Sequence, residues 1–222
     1  MRFRIDLKIF LFLIVFYITK QIEIYAIMIG FAILHELGHL FMGLLLGLKP
    51  EKIDLIPMGL AVSFKVNISD FNKKKKRGNV EVLKEIFIAI AGPVVNLIIL
   101  ILALIFIKDE MLKNLIVYAN LLIFMFNLLP IYPLDGGRIL NGILHIFVGK
   151  REAMKLSYNI SMIITIIVTA IASIGILYYK NIAIFFIVMY LWVIVLKEAF
   201  IYRKIENLYK EVNNNLNGSG EF

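Results

Sequence analysis

Five consecutive residues, His35-Glu36-Leu37-Gly38-His39, bring together the side chains best suited to chemistry in this sequence. Histidines four positions apart lie one turn apart on a single helical face, so both imidazoles can reach one cation, and zinc is the usual ion for this pattern. Glu36, beside the first of them, can approach water next to that cation from the side and accept its proton. The pattern lies inside the apolar stretch Ile22 to Leu48, with His35 some 13 residues from its end, roughly 20 Å of helix at 1.5 Å per residue. A glutamate flanked by two histidines at that depth is expensive unless it is paired, metal-bound or working. The bland alternative is a hydrogen-bonded cluster between helices. The chain has no cysteine, so a transition-metal site must be built from His, Asp and Glu.

A catalytic zinc site has three protein ligands and keeps a fourth position for water, so one more donor must come from elsewhere. The best candidate is Asp135, in Asn127-Leu128-Leu129-Pro130-Ile131-Tyr132-Pro133-Leu134-Asp135-Gly136-Gly137. Two prolines break a helix there, and two glycines let the backbone turn tightly. Irregular backbone near membrane depth is tolerated where it is buried or lines a wet cavity. An aspartate capping the following helix is the rival reading of Asp135. His145, on the apolar segment beyond, is the rival ligand.

Ala91-Gly92-Pro93-Val94-Val95-Asn96 is the third signal. Its small residues permit close packing against the histidine helix, as Gly38 and Gly43 do from the other side. Asn96 and Asn127 each carry an amide that could stabilise an oxyanion, or simply bridge helices.

HELGH, AGPVVN and NLLPIYPLDGG, in this order on successive apolar segments, resemble the site-2 protease family of intramembrane zinc metalloproteases. The likeness covers about Ile22 to Leu140 and implies a three-helix core in which His35, His39 and Asp135 hold zinc and Glu36 activates water. The NLLPIYPLDGG form and the Pro57-Met58-Gly59 segment look most like the sporulation-type branch, whose members cleave membrane-tethered precursors, including a sigma-factor precursor. Unlike many relatives, the sequence shows neither a PDZ-like insert nor a nucleotide-binding CBS pair.

These residues need a membrane scaffold, and composition provides for one: 61% of residues are hydrophobic and mean hydropathy is +0.87. The expected fold is an all-α polytopic membrane protein of about six transmembrane helices, over Ile5–Ile18, Ile22–Leu48, Ile86–Ile107, Leu115–Leu129, Leu156–Tyr179 and Ile182–Leu196. Between the second and third spans, Ile53 to Val66 reads as a small cytoplasmic β-hairpin or sheet, and the basic run Lys73 to Arg77 as a solvated loop near anionic head groups. With six crossings, twenty of the 24 Lys and Arg residues fall on one side, which places both termini and the access to the site in the cytoplasm. That bias accounts for the net charge of +8 without nucleic acid. Residues 1–196 form the membrane domain, 197–212 an amphipathic tail helix, and 213–222 a flexible tail or cloning remnant.

The chemistry expected is hydrolysis of a peptide bond in or near the transmembrane segment of a membrane-tethered protein, within the lipid bilayer. An inhibitory membrane partner and a homo-oligomer are compatible with it. A divalent-cation transporter would also place His and carboxylates on facing helices, but it predicts several such sites along a path, and this sequence offers one cluster. An inactive membrane adaptor is the third reading, although every element of the metal and base set is present.

Overall fold

The computed structural model describes residues 2–5, 22–56, 59–64, 75–179 and 182–218, together with a few positions between 10 and 20. In chain order these form β1 (Arg2–Ile5), α1 (Ile22–Leu45), β2 (Pro50–Ile56), β3 (Gly59–Phe64), α2 (Lys75–Phe106), α3 (Glu110–Asn127), α4 (Asp135–Val148), α5 (Lys150–Tyr179) and α6 (Ile182–Gly218). Helices dominate because the apolar runs are long. A backbone in hydrocarbon must satisfy its own hydrogen bonds, and a helix does so within one segment.

Four helical segments are long and apolar enough to cross a membrane: Tyr25–Leu45, Asn79–Phe106, Lys150–Tyr178 and Ile184–Glu211. Their outward residues remain apolar, with Phe106 at 72% and Ile174 at 70% exposure, as lipid-facing surfaces require. The count among the described residues is therefore four, against six expected. Of the other two segments, Ile5–Ile18 lies mostly outside the described residues. Leu115–Leu129 falls largely on α3, an 18-residue helix diluted by Glu110, Lys113 and three asparagines.

α1 ends where Gly47 takes a positive φ of 76°, a turn that glycine makes without strain. The amides of Leu46, Gly47 and Leu48 close back on Met42, Leu44 and Gly43. The chain then enters the hairpin: β2 and β3 are antiparallel, with Ile53 opposite Val62 and Asp54 opposite Ala61. On the other side β1 pairs with β2 in parallel, giving the order β1-β2-β3. The hairpin matches the sequence reading, whereas β1 is an addition to it. Gly43 does not admit a neighbouring helix as expected; the ring of Phe64 in β3 occupies the space a Cβ would need. The sheet is thereby seated on α1, one turn beyond His39.

Two further boundaries differ from expectation. Lys75 to Gly78, read as loop, are the first turn of α2; lysine and arginine are good helix formers, and their polarity alone does not make a loop. α6 runs unbroken for 37 residues across the expected boundary at 196 and includes Asn213 to Asn215, read as flexible. It contains no proline, and its only glycine is its last residue, so nothing in its interior stops the helix. Its polar half lies against the start of α5, where Arg151 donates to both oxygens of Glu206 at 2.7 and 3.3 Å and Tyr158 stacks on Tyr202.

Inside, α2 is the hub, packing against α1, α3 and α4. Gly38 of α1 faces Ala91 and Val95 of α2, where a Cβ would come within 2.7 Å of Val95 Cγ2. Gly142 of α4 likewise faces Ile86 of α2. The core beneath the proline loop is Ile131, Leu191 and Val195, none more than 2% exposed, which joins that loop to α6.

Candidate metal centre

His35 and His39 lie on the face of α1 turned to α2, 2% and 3% exposed. Their rings stand edge to face, 4.7 Å between centroids, so that the two Nε2 atoms converge at 3.1 Å. Asp135 arrives from the first residue of α4 and sets Oδ2 at 2.9 Å from His35 Nε2 and 3.2 Å from His39 Nε2. Sequence distances of 4 and 100 residues thus collapse onto one point.

The loop before α4 is what aims Asp135. Leu129, Ile131 and Leu134 are linked by short turns, Ile131 N–H to Leu129 O and Leu134 N–H to Ile131 O, and the Tyr132–Pro133 bond is cis. Gly136 and Gly137 tuck against Leu128, Ile131 and Tyr132 so closely that a Cβ on either would overlap backbone atoms. Tyr132 N–H donates to Ser161 Oγ of α5 at 2.9 Å, while that hydroxyl donates onward to Ser157 O. The residue capping α4 is Leu134, which makes no side-chain cap bond, and the Asp135 carboxylate points at the imidazoles instead.

The outer nitrogen of each imidazole determines what its inner nitrogen can do. His39 Nδ1 donates to the Ile88 carbonyl at 2.6 Å, and His35 Nδ1 to Asn96 Oδ1 at 2.5 Å. Both acceptors lack a proton to give, so the ring protons sit on Nδ1 and both Nε2 lone pairs face inward with the carboxylate. Three such donors about 3 Å apart, one of them a carboxylate, can converge on a single cation. Tetrahedral zinc ligands at about 2.0–2.1 Å would stand roughly 3.3 Å apart, close to the separations found here. Gly92 completes the fit: a Cβ there would meet His39 Nε2 at 2.5 Å and His35 Nε2 at 2.6 Å, so only glycine leaves the imidazoles this position. Two neutral imidazoles and one carboxylate also give a buried dication a partial counter-charge, which an apolar interior demands.

Among the described residues, His35, His39 and Asp135 form the group able to hold a metal ion. Glu36, about 100° round α1 from His35, is partly buried and outside that group. His145 lies in the last turn of α4 and does not join it. The amide nitrogens of Asn96 and Asn127 donate to Asn120 Oδ1 at 2.9 Å and to Ile123 O at 3.1 Å. The sequence reading also passed over Ile88, Ser161 and Asn120. For Asn120 a signal existed, since an amide inside the apolar run Ile116 to Met125 must find a partner.

Membrane-spanning helices gathered around a three-donor metal site define a polytopic metalloprotein of the membrane. Residues 23–110 and 108–175 match peptidase family M50, and the chain belongs to that family, the site-2 proteases. It is 36% identical over 142 residues to a zinc metalloprotease of Methanocaldococcus jannaschii, covering 61% of this chain and 38% of that protein. It is 30% identical over 112 residues to stage IV sporulation protein FB of Bacillus subtilis, covering 49% of this chain and 35% of that one. The aligned region thus spans little more than a third of either relative. The solved site-2 protease from Methanocaldococcus jannaschii shares the fold over 87% of this chain and 88% of its own, at a TM-score of 0.61 and 26% identity.

Proposed function

We propose that the chain is an intramembrane zinc endopeptidase that hydrolyses a peptide bond in or near the transmembrane segment of a membrane-tethered precursor. The observation that carries this reading is the convergence of two imidazole Nε2 atoms and one carboxylate oxygen, with Glu36 next to the first ligand on the same helix. His35, His39 and Asp135 would hold the ion, which when bound supplies a Lewis acid that lowers the pKa of water and polarises a carbonyl. Glu36 takes the proton of the attacking water and passes it to the leaving amine. Asn96 and Ile88 hold the imidazoles in the tautomer that leaves Nε2 free, so the role these contacts support for Asn96 is to orient a ligand. Because a helical substrate keeps its carbonyls in hydrogen bonds, it must unwind locally before cleavage. The likeness to the sporulation protein of Bacillus subtilis supports the sporulation-type reading, and the finer proposal, a tethered sigma-factor precursor as substrate, rests on the motif resemblance.

The test uses the purified chain in liposomes with a tethered precursor. Cleavage should stop when a chelator strips the metal and resume when zinc is returned. Zinc flux across the vesicle without any product would replace this reading with that of a transporter.

The charge bias supports cytoplasmic termini and cytoplasmic access to the site. With no native cysteine, single cysteines are clean probes. Those at Lys75 and Lys150 should react with an impermeant maleimide from the cytoplasm, and one at Lys180 from the opposite side. Labelling of positions 75 and 180 from the same side would overturn the six-span arrangement.

A further inference from the structure

Behind His35 runs a chain of amides that ends on a backbone carbonyl. Ile116 O can only accept, and Asn120 Nδ2 donates to it at 2.9 Å. Asn120 therefore turns Oδ1 toward α2, where it accepts from Asn96 Nδ2 at 2.9 Å. Asn96 in turn presents Oδ1 to His35 Nδ1. Both asparagines are 0% exposed, so bulk water does not compete for either amide.

An asparagine amide is nearly symmetric in shape, and only its partners decide which end faces which way. With Asn120 offering an oxygen, Asn96 must face it with nitrogen and show oxygen to the histidine. Without that oxygen, Asn96 can turn its NH2 toward His35 Nδ1, which then becomes the acceptor. The ring proton moves to Nε2 and occupies the lone pair that would bind metal. His39 needs no such relay, because its Nδ1 meets the Ile88 backbone directly.

We infer that Asn120 is a positioning residue of the metal centre, acting through Asn96 to keep the proton of His35 on Nδ1 and its Nε2 free for the ion. This rests on the metal reading above. The simpler role for an Asn96–Asn120 pair, a bridge between α2 and α3, makes no demand on the tautomer of His35.

The test uses the full chain in detergent, with 15N-labelled histidine; three histidines make the spectrum tractable. Asn120→Leu removes the acceptor. Asn120→Ser does so more gently, since its hydroxyl can bond to the carbonyl four residues back but stops short of Asn96. Asn120→Asp keeps an oxygen facing Asn96. In the metal-stripped protein the Asp135 carboxylate can itself draw a proton to His35 Nε2, so the readout is Nδ1: the native chain and Asn120→Asp should keep His35 Nδ1 protonated, and Asn120→Leu and Asn120→Ser should lose that proton. Zinc affinity, measured by chelator competition, should fall about 10- to 100-fold in the Leu and Ser variants and stay near native in Asp. If the Leu and Ser variants keep the native tautomer and affinity, the inference is wrong. It is equally wrong if all three lose zinc in step with their melting temperatures, which would mark a purely structural residue. A native chain that binds no zinc at all would instead refute the metal reading beneath it.

Discussion

Glu36→Gln should retain zinc at close to the native stoichiometry while losing proteolysis by at least about 100-fold, the lower end of what a positioned proton-transfer group contributes. Glutamine preserves size and polarity at a partly buried site but cannot hold a transferred proton. The donors that converge are His35, His39 and Asp135, and Glu36 is not among them, so metal affinity has no reason to collapse. Metal analysis by mass spectrometry and cleavage of a tethered precursor, on the same preparation, read the two effects separately. A variant that carries a full equivalent of zinc and cleaves at the native rate would remove Glu36 from the mechanism. A variant that loses the metal would make it a ligand.

Asp135→Ala should lower zinc affinity by more than about 100-fold, beyond the usual effect of a group that only supports a ligand, and activity should fall with it. The carboxylate is the one anionic donor of the three and lies against both imidazoles at 2.9 and 3.2 Å. His145→Ala is the matched control: it removes an imidazole from α4, the helix that begins with Asp135, at a site outside the donor group. Chelator competition should rank the native chain and His145→Ala together, far above Asp135→Ala. The reverse ranking would make His145 the third ligand and leave Asp135 with a merely local role.

The parts of the site that local rules govern were readable in the sequence. His35 and His39 share a face because helical periodicity says so, and the Pro-Gly pattern around Asp135 announced a loop held at depth. What the sequence could not yield depends on register between helices. Asn96 read equally well as an oxyanion donor or as a bridge, and only its position opposite both His35 and Asn120 decides which of its atoms faces the metal side. Gly92 read as a close-packing residue for a helix, whereas the neighbours it accommodates are the two imidazoles. Asn120 carried no motif, and β1 is four residues long, paired with a strand 50 residues away, below the reach of any local pattern. The count of four among the described residues shows the converse limit: hydropathy located the apolar runs, but Glu110, Lys113 and three asparagines dilute α3, and of these Asn120 is the one that pairs with Asn96 beside His35.

The parallel pairing of β1 with β2 also constrains the route of the chain. Strands joined by backbone hydrogen bonds share one side of the bilayer, so Arg2–Ile5 and Pro50–Ile56 are on the same face. A ladder of four residue pairs thus ties Arg2–Ile5 to the strand that follows the histidine helix, independent of hydropathy and of charge. Severing it would free Arg2–Ile5 from the strand that follows the histidine helix, and with it the tether that keeps these two strands on one face.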